Sequence, residues 1–131
     1  MLDKPLIGLN ADFRTAQGNQ PSFSVVTAGY FDCITRSGGI PVVVPPLSSE
    51  EDISSLLERL DGLVMIGGAD LDPRRDGFMR HPTVRLMDPR REEFDRKLML
   101  LATERKMPLF GIGVGMQLSV SYTHLTLPTK A

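Results

Sequence analysis

Four short apolar runs, each followed by a change of rhythm, constrain this chain most. Pro5–Asn10, Ile40–Pro46, Asp61–Gly68 and Met107–Ile112 are rich in bulky or branched apolar residues and are bounded by Gly, Pro or polar residues. They are the right length for buried strands and too short for helices. Helical stretches separate them. Strands alternating with helices imply a parallel sheet with helices on both faces, an α/β fold of the flavodoxin-like kind. In such sheets ligands bind beyond the carboxyl ends of the strands. The segment after Asn10, the Gly67–Gly68 pair and the Gly111–Gly115 turn should therefore share one edge.

The helices are visible in their apolar spacing. From Ser24 to Ser37, Val26, Tyr30, Cys33 and Ile34 recur on one face, and Gly38–Gly39 supplies a stop. Ser48 reads as the cap of the next helix with Glu51 reaching back, and Ile53, Leu56, Leu57 and Leu60 form its stripe. Residues 91–106 carry Phe94, Leu98 and Leu101 on one face, with acids early and bases late. The Gly-, Asn- and Gln-rich stretch 11–23 reads as a loop, as does the longer stretch from Gly67 to Arg90.

Composition closes off other classes. The chain has 131 residues, 41% hydrophobic and 24% charged, and a formal net charge of -1. That balance suits one domain with a real core. It offers no field to draw nucleic acid or an anionic membrane. No apolar run approaches the ~20 residues of a membrane helix. The opening residues do not read as a signal peptide. A single cysteine, Cys33, permits no internal disulfide and fits a reducing, cytoplasmic setting. Its helical spacing predicts core packing.

The segments YFDCITRSGGIPVVVPP, DGLVMIGGADLDP and RREEFDRKLMLLATERKMPLFGIGVGMQL together resemble the class I glutamine amidotransferase-like family. The nearest branch is the γ-glutamyl hydrolases of the peptidase C26 type, which cleave γ-glutamyl-γ-aminobutyrate and related amides. The resemblance runs from Pro5 to Leu118, with three separated motifs in the family's order. It implies hydrolysis of a γ-glutamyl amide through a Cys-His-Glu triad, with no metal or organic cofactor. The family's elbow reads Gly-(Ile/Val)-Cys-x-Gly-x-Gln, and here Gly111-Ile112-Gly113-Val114-Gly115-Met116-Gln117 keeps every fixed position but one. The nucleophile position holds Gly113. By the same resemblance, the N–H of Val114 and the Gly67–Gly68 segment would serve the oxyanion, and Gln117, beside Gly115, would contact the γ-glutamyl group.

Glycine cannot form an acyl-enzyme. The family's His and Glu lie well downstream of the elbow. Neither is expected in this sequence, and His124 has the wrong context for the base. Residues 119–131, SVSYTHLTLPTKA, mix Thr with Leu and carry Pro128, a poor helix by propensity. They read either as read-through joined to a C-terminally truncated frame or as a divergent tail, so residues 1–118 are expected to carry the domain.

Weaker signals have plain readings. DLDPRRDG (70–77) looks like a calcium loop, but its sixth and twelfth positions are Arg75 and His81, not Gly and Glu. No metal site is expected. Asp70 is expected to hold backbone amides in a turn of a substrate-facing loop. Arg74, Arg75, Arg80, Arg85, Arg90 and Arg91, set among Asp70, Asp72, Asp76 and Asp88, read as a solvated, self-paired loop, with one arginine on a substrate carboxylate as the alternative. The chain as given is thus expected to be a catalytically inactive relative of a hydrolase. A small γ-glutamyl amide or amino acid is the expected partner, and a homo-oligomer is possible. A non-catalytic binding protein and a non-functional gene fragment stand as alternatives.

Overall fold

A computed structural model describes residues 3–126, with side chains to residue 120. The elements run β1 (Leu6–Leu9), β2 (Asp12–Arg14), β3 (Phe23–Val25), α1 (Ala28–Arg36), β4 (Ile40–Val43), α2 (Glu50–Leu57), β5 (Gly62–Met65), α3 (Pro89–Glu104), β6 (Leu109–Gly111) and α4 (Val114–Thr126). A short 3-10 turn, Pro73–Asp76, interrupts the loop before α3.

Four strands form a parallel sheet in the order β4-β1-β5-β6. Leu9 lies opposite Val43 on one side and Val64 on the other, and Met65 lies opposite Gly111. The chain steps from β1 to β4, then crosses back over β1 to β5. The order therefore reverses between β1 and β5, the switch point where doubly wound sheets hold ligands.

Reversal of direction puts the crossovers on opposite faces. On one face α2, α3 and α4 enclose the larger core, with Ile53, Leu57, Met65, Leu98, Met99 and Leu118 essentially unexposed. Burying each such side chain contributes about 1.5–3 kcal/mol. On the other face α1 packs on the sheet, bringing its Ile34 against Leu9 and Ile66. Gly38, at φ +94°, ends α1 as its sequence predicts, and the Gly39 N–H donates to the Ile34 carbonyl at 3.0 Å.

Five local expectations are corrected. Residues 12–14 and 23–25 form an antiparallel hairpin, so the stretch after Asn10 is not all loop, and Ser24–Val25 belong to a strand. The cap of α2 is Ser49, whose Oγ accepts from the Asp52 N–H at 3.2 Å, not Ser48. α3 begins at Pro89, because Asp88 caps it by accepting from the Arg90 N–H at 2.8 Å. Cys33 is exposed, because it borders an open apolar cavity rather than a filled core. Finally, α4 continues past Leu118 through Thr126. Once its first turns dock on α3 and β6, extension costs little per residue even for Thr and Ser. Residues 127–131 lie outside the described residues.

Candidate active site

At the carboxyl edge of β6 the chain turns sharply into α4. The Ile112 N–H donates to the Met65 carbonyl at 2.9 Å, tying the turn to β5. Gly113 then takes φ +57° and α4 starts at Val114. The glycines on either side are sterically required. A Cβ on Gly111 would lie 2.7 Å from the Gly115 carbonyl carbon, and one on Gly115 would collide with the Met65 carbonyl. Gly113 differs: an added Cβ there meets only the Gly67 Cα, at an ordinary 3.5 Å. The elbow and the 67–68 glycines are thus neighbours, and the space beside Gly113 opens on that pair.

Gly67 and Gly68 follow β5 after one intervening residue and are fixed from beneath. Arg91, fully buried on the first turn of α3, donates from Nη2 to the carbonyls of Ile66 at 3.2 Å and Gly67 at 3.1 Å. In a planar trans peptide the N–H points opposite to the carbonyl. The Gly68 N–H is therefore aimed away from the guanidinium. A side chain on Gly68 would run into Arg91. Among the described residues neither the Gly68 N–H nor that of Val114, the first residue of α4, has a backbone acceptor.

A polar network supports Arg91. Its Nε donates to Asp95 Oδ2 at 3.1 Å, and Asn10 Nδ2 donates to the same oxygen at 2.9 Å. Asn10 Oδ1 accepts from the Ile66 N–H at 2.7 Å. Asp95 Oδ1 is buried with no partner among the described residues. Burial pushes the Asp95 carboxyl up to about 6, against the pull of Arg91 and Asn10. Arg91 also lies 3.3 Å from Asp12 on the hairpin.

A second polar group anchors the loop before α3. Glu92, also buried, accepts from the Asp72 N–H at 2.9 Å and from Arg96 Nε at 2.8 Å. Arg96 forks onto Asp76 at 3.1 and 2.9 Å. Burial opposes the Arg96 charge, but the bonds to Asp76 and Glu92 outweigh it and hold it above the ordinary arginine range. On the surface, a hydrogen bond from Arg74 holds Asp72 down to about 2.

The arginine-rich loop is therefore only partly the solvated, self-paired segment its composition suggests. Arg74–Asp72 and Arg75–Glu93 fit that description. Arg91 does not: it points inward because buried carbonyls and carboxylates wait there. Arg90 stacks over the Phe13 ring at 4.7 Å. Asp70 does hold a backbone amide, but across the loop. Its Oδ2 accepts from the Arg85 N–H at 2.9 Å, closing the loop at its base.

Asp70 and Gln117 line a shared cavity of about 430 Å³ between the loop before α3 and α4. A smaller cavity of about 230 Å³, beside the β2–β3 hairpin, is lined by Gly67, Gly68, Asp12, Arg14, Thr27 and Tyr30 among others. Asn10, Asp12, Arg14, Tyr30 and Asp95 are site residues that sequence reasoning missed. Asn10 had a signal, a polar residue closing an apolar strand. Among the described residues no three His, Cys, Asp or Glu side chains gather in a way that could hold a metal, and no helix is long and apolar enough to cross a membrane.

This arrangement has relatives. A sequence model of the peptidase C26 family matches residues 5–123, a span that continues past Leu118 into the later turns of α4. The chain is 36% identical over 118 residues to the glutamine amidotransferase-like protein Rv2859c of Mycobacterium tuberculosis, covering 87% of this chain and 38% of that protein. It is 30% identical to NtpR of Enterococcus hirae, covering 87% of this chain and 48% of that one. With the γ-glutamyl-γ-aminobutyrate hydrolase PuuD of Escherichia coli it shares 26% identity, covering 99% of this chain and 50% of that one. The chain spans half or less of the length of each of these relatives. A parallel sheet with a glycine elbow beside a paired glycine loop, and this match, place the chain in the peptidase C26 family, among the glutamine amidotransferase-like proteins.

Proposed function

We propose that this chain forms the elbow side of a γ-glutamyl amide site and, with glycine at position 113, holds its ligand without cleaving it. One observation carries the reading: the elbow backbone has the left-handed turn of a nucleophile elbow and room for a side chain, yet bears none. One relative is named for γ-glutamyl-γ-aminobutyrate hydrolysis, which suggests the ligand class.

With a thiol at this position, sulfur would add to the amide carbonyl and charge would build on its oxygen. The N–H groups of Val114 and Gly68 are the donors suited to that oxygen. Collapse would expel the amine as it takes a proton, leaving a thioester for water to hydrolyse. With Gly113 the first bond never forms. What remains is recognition: the two amides for the carbonyl, and the Asp70–Gln117 cavity for the γ-glutamyl end. This chemistry calls for no cofactor, and the single cysteine fits the reducing cytoplasm.

Titration calorimetry with γ-glutamyl-γ-aminobutyrate, run beside an assay for released glutamate, tests the reading. The expected result is saturable binding with no turnover. Release near an ordinary enzymatic rate, about 1 s⁻¹ or more, or no binding at all, would refute it.

A further inference from the structure

The cavity beside the hairpin carries charges that the elbow chemistry does not use. Asp12 and Arg14 alternate along β2, so both point to one face of the hairpin, while Phe13 between them is buried. That face borders Gly67, Gly68, Thr27 and Tyr30 across the cavity. The elbow lies against the same glycines, since a Cβ on Gly113 would touch the Gly67 Cα.

The two charges are unequally spent. Asp12 Oδ2 pairs with Arg14 Nη1 at 2.7 Å. Asp12 Oδ1 takes Arg91 Nη1 at 3.3 Å and the Phe13 N–H at 2.9 Å. Each carboxylate oxygen is thus engaged. Arg14 uses one terminal nitrogen of a five-donor fork, and its side chain is 59% exposed. The cavity accordingly offers open donors and no open anionic acceptor. That suits a carboxylate, which guanidinium binds through two parallel bonds.

We infer that Arg14 recognises a carboxylate on the leaving-group side of the ligand, so the site prefers γ-glutamyl amides of amino acids over those of simple amines. The inference rests on the γ-glutamyl reading above. It assigns the Asp70–Gln117 cavity and the hairpin cavity to the two halves of one ligand. The Asp70–Gln117 side takes the γ-glutamyl end, and the hairpin side takes the amine component. Asp12 acts as a positioning residue, because it joins Arg14 to the buried Arg91 and so to the glycine loop.

Because Gly113 leaves the ligand intact, equilibrium binding reads this directly. Two probes suffice for the 131-residue chain: γ-glutamyl-γ-aminobutyrate, and γ-glutamyl-butylamide, which ends in a methyl where the first ends in a carboxylate. The unaltered chain is expected to bind the first about tenfold more tightly. Arg14→Gln should abolish that preference by weakening binding of the first probe about tenfold more than that of the second. Arg14→Lys should restore part of it, since the charge stays but the fork is lost. Equal binding of both probes by the unaltered chain, or equal weakening of both by Arg14→Gln, overturns the role of Arg14 and leaves the γ-glutamyl reading standing. Failure of both probes to bind overturns both.

Discussion

Arg91 donates to the Gly67 carbonyl at 3.1 Å from a position with no solvent exposure. A charge this deep is tolerated only while its partners remain. Removing one member of a buried pair costs about 3–5 kcal/mol, because the other charge is left uncompensated. Arg91→Met is expected to lose stability on that scale in urea unfolding. Arg91→Met with Asp95→Leu should lose less than the two single changes added together, since the two side chains share one bond.

Asp95 gives a pH signature. Burial raises its folded-state pKa to about 6, above the ordinary carboxylate value of 3.8. Between those limits the folded chain binds more protons than the unfolded chain, so this group's contribution to stability falls as pH rises. The stability difference between the wild-type chain and Asp95→Asn should therefore shift against the wild type from pH 4 to pH 7. Taking the difference cancels the other carboxylates. Urea midpoints at several pH values measure it, and an unchanged difference contradicts the assignment.

The elbow glycines should separate into two classes. Gly111→Ala and Gly115→Ala force a Cβ into backbone, and each should reach or exceed the ~3 kcal/mol upper range of overpacking. Gly113→Cys meets only an ordinary contact and carries the left-handed penalty of about 1–2 kcal/mol. Thermal or urea unfolding of the three variants should rank Gly113→Cys as the mildest.

Strand β6 pairs only with β5 among the described residues, and Phe110 on it is 64% exposed. With Ile7, Val64 and Ile112 it borders an apolar cavity of about 380 Å³ beside α1. Open apolar edges associate. Light scattering of the purified chain should show concentration-dependent growth, and Phe110→Lys should reduce it.

How much of this was legible in the residues follows physical lines. The four parallel strands stood out because a strand buried on both faces must be apolar throughout, as in Leu63–Met65. The elbow stood out because backbone crowding at Gly111 and Gly115 admits no other residue. The β2–β3 hairpin did not, because three-residue strands in a polar segment lack a period to detect. Arg91 read as part of a solvated loop, and nothing local marked Glu92, Asp95 or Arg96 as buried. Their burial depends on partners distant in sequence, such as Asn10 and Asp76, and no local pattern encodes that. Cys33 shows the converse: its spacing matched a core face, but exposure is decided by what lies across from it.

The room beside Gly113 has a consequence for how such sites change over time. The bend is held by crowding at Gly111 and Gly115 and by the tie from Ile112 to Met65, none of which involves the CH2–SH group a cysteine at position 113 would bring. Architecture and reactivity are therefore separable at this spot. Sulfur can be lost from, or returned to, a protein built this way without redrawing its main chain, so kinship in shape across the family is a poor guide to which members still turn over a substrate.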